Sequence, residues 1–273
     1  MLLAIDVGNT NIMFALVEGG EIRWRWRIST DGRRTADEYA VWLNQLMAME
    51  GLDRSAIDDV IIASVVPQTL FNLRGLARRI ANVDPMVVGA PGIDYGMPIN
   101  LPNPAEVGAD RVVNAVAAHG IWQGDLIIID FGTATTFDVV SAAGTYEGGV
   151  IAPGINLSMD ALYNAAAKLP RIAVEPPAEG LGVIGKGTVH AMQSGVFWGY
   201  VGLIEGLVSR MKAEIAERQT GLFPGGGVTV IATGGLAPLF SRHTNAISHV
   251  DPDLMIKGLM RIHAANRDTS RKA

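Results

Sequence analysis

One pattern occurs twice in this chain: an apolar run, an aspartate, a glycine turn with hydroxyl or amide side chains, and a second apolar run. The first copy is LLAIDVGNTNIMFALV, residues 2–17, and the second is LIIIDFGTATTFDVV, residues 126–140. Each predicts a strand, a tight polar turn and a strand. Gly8 and Gly132 let backbone N–H groups come close to an anion. Asp6 and Asp130 suit a hard cation, and Thr10, Thr133, Thr135 and Thr136 can donate to phosphate oxygens. A single Asp-x-Gly is also an ordinary hairpin turn. Two copies, each with extra Thr or Asn and one in each half, point instead to a polyphosphate held from both sides.

Bulk properties exclude several other classes. Hydrophobic residues make up 49% of the 273 and charged ones 18%, enough for a sizeable core in one large or two moderate domains. A net charge of −5 argues against a nucleic-acid partner. Without cysteine there is neither a thiol nucleophile nor a thiolate metal site. The five histidines, 119, 190, 243, 249 and 263, lack ligand spacing, so no zinc is expected. The amino terminus enters a strand directly, unlike a signal peptide, and no apolar run reaches the roughly 18 residues of a membrane helix. The expectation is a soluble, cytoplasmic protein without membrane association.

Between the two turns, Glu21–Ser29 alternates Ile22, Trp24, Trp26 and Ile28 with Arg23, Arg25 and Arg27. That predicts an edge strand with a solvated basic face. Thr35 and Glu38 form a capping box for a helix carrying Tyr39, Trp42, Leu43, Leu46 and Met47. Asp59–Val66 predicts a buried strand stopped by Pro67, with Thr69 capping the next helix, and another short strand begins at Met86. The loop Pro91–Pro104 leads into a helix predicted over Ala105–His119, on which Asp110 and Asn114 share a face.

Beyond the second turn, GGVIAPG (148–154) predicts a glycine-bracketed loop feeding a helix from Asn156 to Lys168. Gly180–Gly185 matches GxGxxG and Gly180–Gly187 nearly matches a P-loop. Neither follows a strand, so both are set aside in favour of a loop ending at a cap near Thr188. In the long helix over 189–218, Gly195, Gly199, Gly202 and Gly206 make one smooth face. It is suited to close packing within the monomer or across a dimer. Val228–Ala232 is the last clear strand, running into Thr233-Gly234-Gly235, and 267–273 is a polar, frayed tail.

Three glycine turns, hydroxyls and two aspartates fit phosphoryl transfer, which needs positioning, a divalent ion and one base for the acceptor. Asp110 is the best remaining carboxylate for that base. These segments resemble the nucleotide-contacting segments of the acetate/sugar kinase, actin and heat-shock chaperone superfamily: DVGNT at 6–10, DFGTATT at 130–136 and TGG at 233–235. More narrowly, with SVVP at 64–67, GADR at 108–111, GGVIAPG and GKGT at 185–188, the chain resembles type III pantothenate kinases along nearly its whole length.

The resemblance implies an α/β fold of two ribonuclease-H-like, actin-like ATPase domains, 1–117 and 118–273, with mixed sheets flanked by helices and ATP in the cleft between them. The last helix is expected to pack back on the first domain. The implied reaction is ATP-dependent phosphorylation of pantothenate, the first step toward coenzyme A, with Asp110 as base. Asp6, Val7, Gly8, Asn9, Thr10, Asn11, Ile12 and Met13 would form the phosphate loop, and Thr133, Gly234 and Gly235 would also meet ATP. Gly108, Ala109, Asp110 and Arg111 would line the pantothenate site with Thr188, contributed by the partner of a homodimer. Asp130 would hold a monovalent cation, potassium or ammonium, and Asp6 would serve Mg2+ accompanying ATP, through water. Leu101 stands where many members carry an aromatic against the substrate. Two rivals are a non-catalytic transcription accessory factor of the same fold and a sugar or acetate kinase. The first has no use for Asp6, Asp110 and Asp130 together, and the second generally lacks GADR.

Overall fold

The computed structural model describes residues 1–166, 169–178, 180–218 and 227–270. In chain order its elements are β1 (Leu2–Val7), β2 (Asn11–Glu18), β3 (Glu21–Ser29), α1 (Ala36–Met49), β4 (Asp59–Ser64), α2 (Pro67–Ala81), β5 (Met86–Val87), α3 (Ala109–His119), β6 (Leu126–Phe131), β7 (Ala134–Val140), β8 (Tyr146–Pro153), α4 (Ile155–Ala165), α5 (Thr188–Arg218), β9 (Thr229–Gly234), α6 (Ala237–Phe240), β10 (His249–Val250) and α7 (Leu254–Ser270). They fall into two compact units: residues 1–120 with the chain from Asp253 onward, and Ile121–Pro252.

Each unit holds a five-stranded mixed sheet of the same plan. In the first the order is β3-β2-β1-β4-β5, and in the second β10-β9-β6-β7-β8. Three consecutive strands run antiparallel, β1-β2-β3 and β6-β7-β8. Two more add in parallel, β4 and β5 on β1, β9 and β10 on β6. Parallel neighbours need a crossover, which is why helices intervene only in the later part of each unit.

The burial pattern follows from alternation. Leu3, Ile5 and Val7 of β1 pack with Leu43 and Met47 of α1 and Leu73 and Leu76 of α2 on one face. Ala4, on the other face, packs with Val113 of α3 and Ile256, Leu259 and Ile262 of α7. The central strands are buried on both faces, so they read as continuous apolar runs. In the second unit Ile127, Ile129 and Phe131 meet Phe197, Val201 and Ile204 of α5 and Phe240 of α6. Among the described residues no helix is long and apolar enough to cross a membrane.

Local expectations hold in part. The capping box at Thr35 and Glu38 forms. β3 is an edge strand, but a register shift at Leu16/Val17 sends Ile22 to the cluster opposite that of Trp24 and Trp26. Its arginine face is not simply solvated: Arg25 makes a two-pronged bond to Asp253, Nε to Oδ1 at 2.8 Å and Nη2 to Oδ2 at 2.6 Å. Pro67 begins α2 rather than merely ending a strand, and β4 stops at Ser64. Thr69 lies inside the first turn, donating to Val66 O at 2.8 Å, and Val66 takes the cap position. The third helix begins at Ala109, not Ala105, because Pro104–Glu106 closes a separate tight turn and Val107 is extended.

GGVIAPG is not a loop: pairing with β7 overrides its glycines and makes it β8. The helix after it begins one residue early and ends at Ala165; the predicted end at Lys168 lies outside the described residues. A short β10 follows the strand expected to be last, and α7 carries the polar tail through Ser270.

Candidate active site

In the first unit the polar turn closes when Gly8 N–H donates to Asn11 O at 3.0 Å. Asn9, Thr10 and Asn11 are exposed at its tip, while Ile12 is buried and anchors β2. Asp6, two residues after Ala4, shares the α3/α7 face of the sheet and stands in register with Met13 and Ala63. Met13 and Ala109, the first residue of α3, pack against the cluster that contains Ala63. The strand and the first turn of α3 therefore bring Asp6 and Asp110 to one side of one sheet.

Asp110 is held tightly there. Its Oδ1 accepts the Arg111 N–H at 2.9 Å. Burial pushes its carboxyl above the usual carboxylate range, partly opposed by that amide and by the Arg111 charge. A carboxyl made more basic by its surroundings, at a helix amino terminus, is suited to accept a proton from an alcohol. Gly108 caps the helix with no side chain of its own. Asn114, one turn on from Asp110, is buried. Leu101 is half-buried in the loop that leads to this turn.

In the second unit the register puts Asp130 between Thr136 of β7 and Thr233 of β9, on the sheet face opposite the α5 core. Alternation divides the predicted hydroxyl cluster. Thr136 sits on the Asp130 side, whereas Thr135 points into the core, 2.6 Å from the Tyr200 hydroxyl. Tyr200 in turn donates to Pro153 O at 2.6 Å. At the turn, Gly132 N–H donates to Ala134 O at 3.0 Å and Gly154 N–H to Thr133 O at 3.1 Å. Gly234 has φ 88°, and a Cβ there would lie 2.8 Å from Asp130 Oδ1, so the Thr-Gly-Gly turn is glycine for two reasons.

One pair escaped sequence reading. Asp138 is fully buried and accepts the Tyr146 hydroxyl at 2.6 Å and Thr136 Oγ1 at 3.1 Å. The signal was an aspartate inside an apolar run, two residues after Thr136. Because the Thr136 proton goes to Asp138, the oxygen keeps lone pairs for a cation on the Asp130 side. Carboxylate and hydroxyl oxygens are the donor set that hard cations take, so the residues at Asp130 fit one.

Thr188 opens α5 and is exposed, remote in sequence from both turns. The loop before it folds onto that helix: Gly182 O lies 2.9 Å from His190 Nε2, and Ser194 Oγ donates to Val183 O at 2.5 Å. Between α4 and α5 runs a groove of about 540 Å³, lined by Ile155, Leu162, Gly195, Val196, Gly199 and Leu203 among others. It is apolar and does not include Asp130 or Thr133.

Two sheets of one plan, each opening on a hairpin with an acidic glycine turn, give the duplicated fold of the acetate/sugar kinase, actin and heat-shock chaperone superfamily. Solved structures share the fold. A protein assigned to the Baf family of transcriptional activators in Campylobacter jejuni superposes with a TM-score of 0.61 at 17% identity, over 97% of this chain and 99% of that one. A 2-dehydro-3-deoxygalactonokinase protein from Sinorhizobium meliloti gives 0.51 at 12%, over 97% and 96%. Within that class the chain belongs to the type III pantothenate kinase family, whose profile matches residues 2–210. It is 58% identical over 266 residues to the type III pantothenate kinase of Paramagnetospirillum magneticum, covering 97% of this chain and 98% of that one. Against the enzyme of Rhizorhabdus wittichii it is 60% identical over 259 residues, covering 95% and 96%.

Proposed function

We infer that this chain transfers the γ-phosphoryl group of ATP to the primary hydroxyl of pantothenate, giving 4'-phosphopantothenate and ADP, the first step of coenzyme A synthesis. The observation that carries the reading is Asp110: a carboxyl raised by burial, in the first turn of α3, on the Asp6 side of the sheet. Asp110 takes the hydroxyl proton as the alcohol oxygen forms its bond to the γ-phosphorus and the bond to the β,γ-bridging oxygen breaks. Gly108, Ala109, Arg111 and Leu101 line the pantothenate side.

Asp6 to Met13 cradle the phosphates with backbone amides, and Thr133, Gly234 and Gly235 meet ATP from the second unit. Mg2+, held at Asp6 through water, would neutralise charge developing on the phosphates. Asp130, with Thr136 beside it, would hold potassium or ammonium. We also propose a homodimer working in the cytoplasm. Its support is the exposed Thr188, taken to serve the partner's pantothenate site, and the apolar groove beside α5.

The test is a substrate panel. The purified chain with ATP and magnesium is offered pantothenate, acetate and hexoses, in potassium and again in sodium buffer, and ADP is followed. ADP formation with pantothenate alone, fastest in potassium, is expected. No ADP with any acceptor would favour a non-catalytic accessory protein, and full rate in sodium would remove the cation from Asp130.

A further inference from the structure

Thr30 follows β3 and belongs to none of the motifs. Its N–H donates to Thr10 O at 2.9 Å, and its hydroxyl donates to Gly8 O at 2.7 Å. The first bond continues the β2–β3 ladder by one step beyond the Asn11/Ser29 pair. The second bond is not part of any ladder. A two-stranded hairpin does not require it, and most residues following an edge strand have no hydroxyl to supply it.

The consequence lies on the other side of those peptides. In a trans peptide the C=O and the following N–H point in opposite directions. Holding Gly8 O toward Thr30 turns the Asn9 N–H away from it, and holding Thr10 O does the same for the Asn11 N–H. Successive amides aimed at one side of a turn form a concave anion site. Neighbouring carbonyls are occupied as well: Val7 O accepts from Val65 N–H at 3.1 Å and Asn11 O from Gly8 N–H at 3.0 Å. A carbonyl swinging into the cradle would repel phosphate, and these bonds prevent that. The tip, Asn9 to Asn11, is exposed.

We propose that Thr30 is a positioning residue for the nucleotide: its hydroxyl fixes the Gly8–Asn9 peptide so that the loop amides face the ATP phosphates. This rests on the reading of the turn as the ATP phosphate loop. It assigns Thr30 to ATP and not to pantothenate.

Three full-length variants test it: Thr30→Val, which keeps shape and the backbone N–H; Thr30→Ala; and Thr30→Ser, which restores the hydroxyl. Expected for Thr30→Val is a fall of about tenfold or more in kcat/KM for ATP, with KM for pantothenate within about twofold of wild type and the apo melting temperature nearly unchanged. Thr30→Ser should recover most of the loss. If Thr30→Val does not fold, Thr30→Ala is read in its place. Wild-type kcat/KM for ATP without the hydroxyl overturns the proposal, as does an equal loss toward both substrates that Thr30→Ser fails to restore. Calorimetric binding of a non-hydrolysable ATP analogue separates this from failure of the pantothenate reading. Should wild type bind the analogue yet phosphorylate nothing, Thr30→Val must still weaken that binding about tenfold, and equal binding overturns the proposal.

Discussion

Gly108 and Asp110 leave no space between them: a Cβ at position 108 would stand 2.5 Å from Asp110 Oδ1. That oxygen is the one that accepts the Arg111 N–H. The Gly108 backbone, φ −58° and ψ 137°, is open to any residue, so the demand for glycine comes from the carboxylate and not from backbone strain. Gly108→Ala should therefore displace the Asp110 carboxyl, the proposed base, without unfolding the helix. The expected result is a loss in kcat of about 10²-fold, the usual effect of a misplacement near 1 Å. The apo melting curve should move by no more than a few degrees. A variant that melts far lower would mean the glycine serves folding instead.

Asp110→Asn should reduce kcat by about 10²–10⁴-fold, the typical contribution of a positioned base. The same substitution has a stability signature with a defined sign. Asp110 is raised above its ordinary value by burial, so the folded chain binds that proton more tightly than the unfolded chain. Below both pKa values the carboxyl is neutral in both states and costs nothing. Above the folded-state value it is charged and desolvated, and the fold bears the penalty. Asp110→Asn should thus raise the melting temperature at neutral pH and lose that advantage as pH falls toward the ordinary carboxylate range. A variant less stable than wild type at pH 7 would show that the carboxylate is held by compensating bonds.

How much of this was legible in the sequence depended on range. The two acidic turns were, because an apolar run, an aspartate and a glycine within eight residues already fix strand, turn and strand. The capping box at Thr35 was legible for the same reason. Where pairing partners lie far apart, the sequence misled. Gly148 and Gly149 read as a loop, yet β7 supplies a ladder that a local reading cannot see. The division of Thr135 from Thr136 follows from strand alternation, but Tyr200, which receives Thr135, is 65 residues away. The partner of Asp138 could be found only once β7 and β8 were paired, because Tyr146 lies across that hairpin. The early start assigned to α3 had a different cause: Pro104 suits the first turn of any helix, including the short separate turn it makes here.

Tyr200 joins the second unit's core to β7 and the end of β8. Its hydroxyl lies 2.6 Å from Thr135 Oγ1 and donates to Pro153 O, one residue before the cap of α4. Tyr200→Phe keeps the ring among Phe197 and Phe240 and removes only the oxygen. It should cost about 1–3 kcal/mol, since it leaves the buried Thr135 hydroxyl without that partner. At about 2–4 °C per kcal/mol the loss is measurable by calorimetry. Combining it with Thr135→Val should be less than additive, because both changes break the same contact. Strict additivity would mean the hydroxyls do not share a bond in solution.

The smooth face of α5 bears on the oligomer. Added Cβ atoms at Gly195, Gly199 and Gly202 would have no neighbour within 4 Å among the described residues. Each glycine inside a helix costs about 1 kcal/mol relative to alanine. The described residues of one copy give nothing in return for that cost at these positions, whereas a second copy seated in the groove beside Leu162 and Leu203 would. Sedimentation should therefore report two 29.0 kDa chains, and Gly199→Arg should give one. If Thr188 serves the partner's pantothenate site, complementation follows from two-fold symmetry. Asp110→Asn and Thr188→Arg chains, each nearly inactive alone, should regain activity when unfolded and refolded together. Half of the dimers would be hybrids with one intact site of two, giving about a quarter of the wild-type rate. Recovery near that level would place Thr188 in the partner's site. A mixture no more active than its components would assign Thr188 to the site of its own chain, or to none.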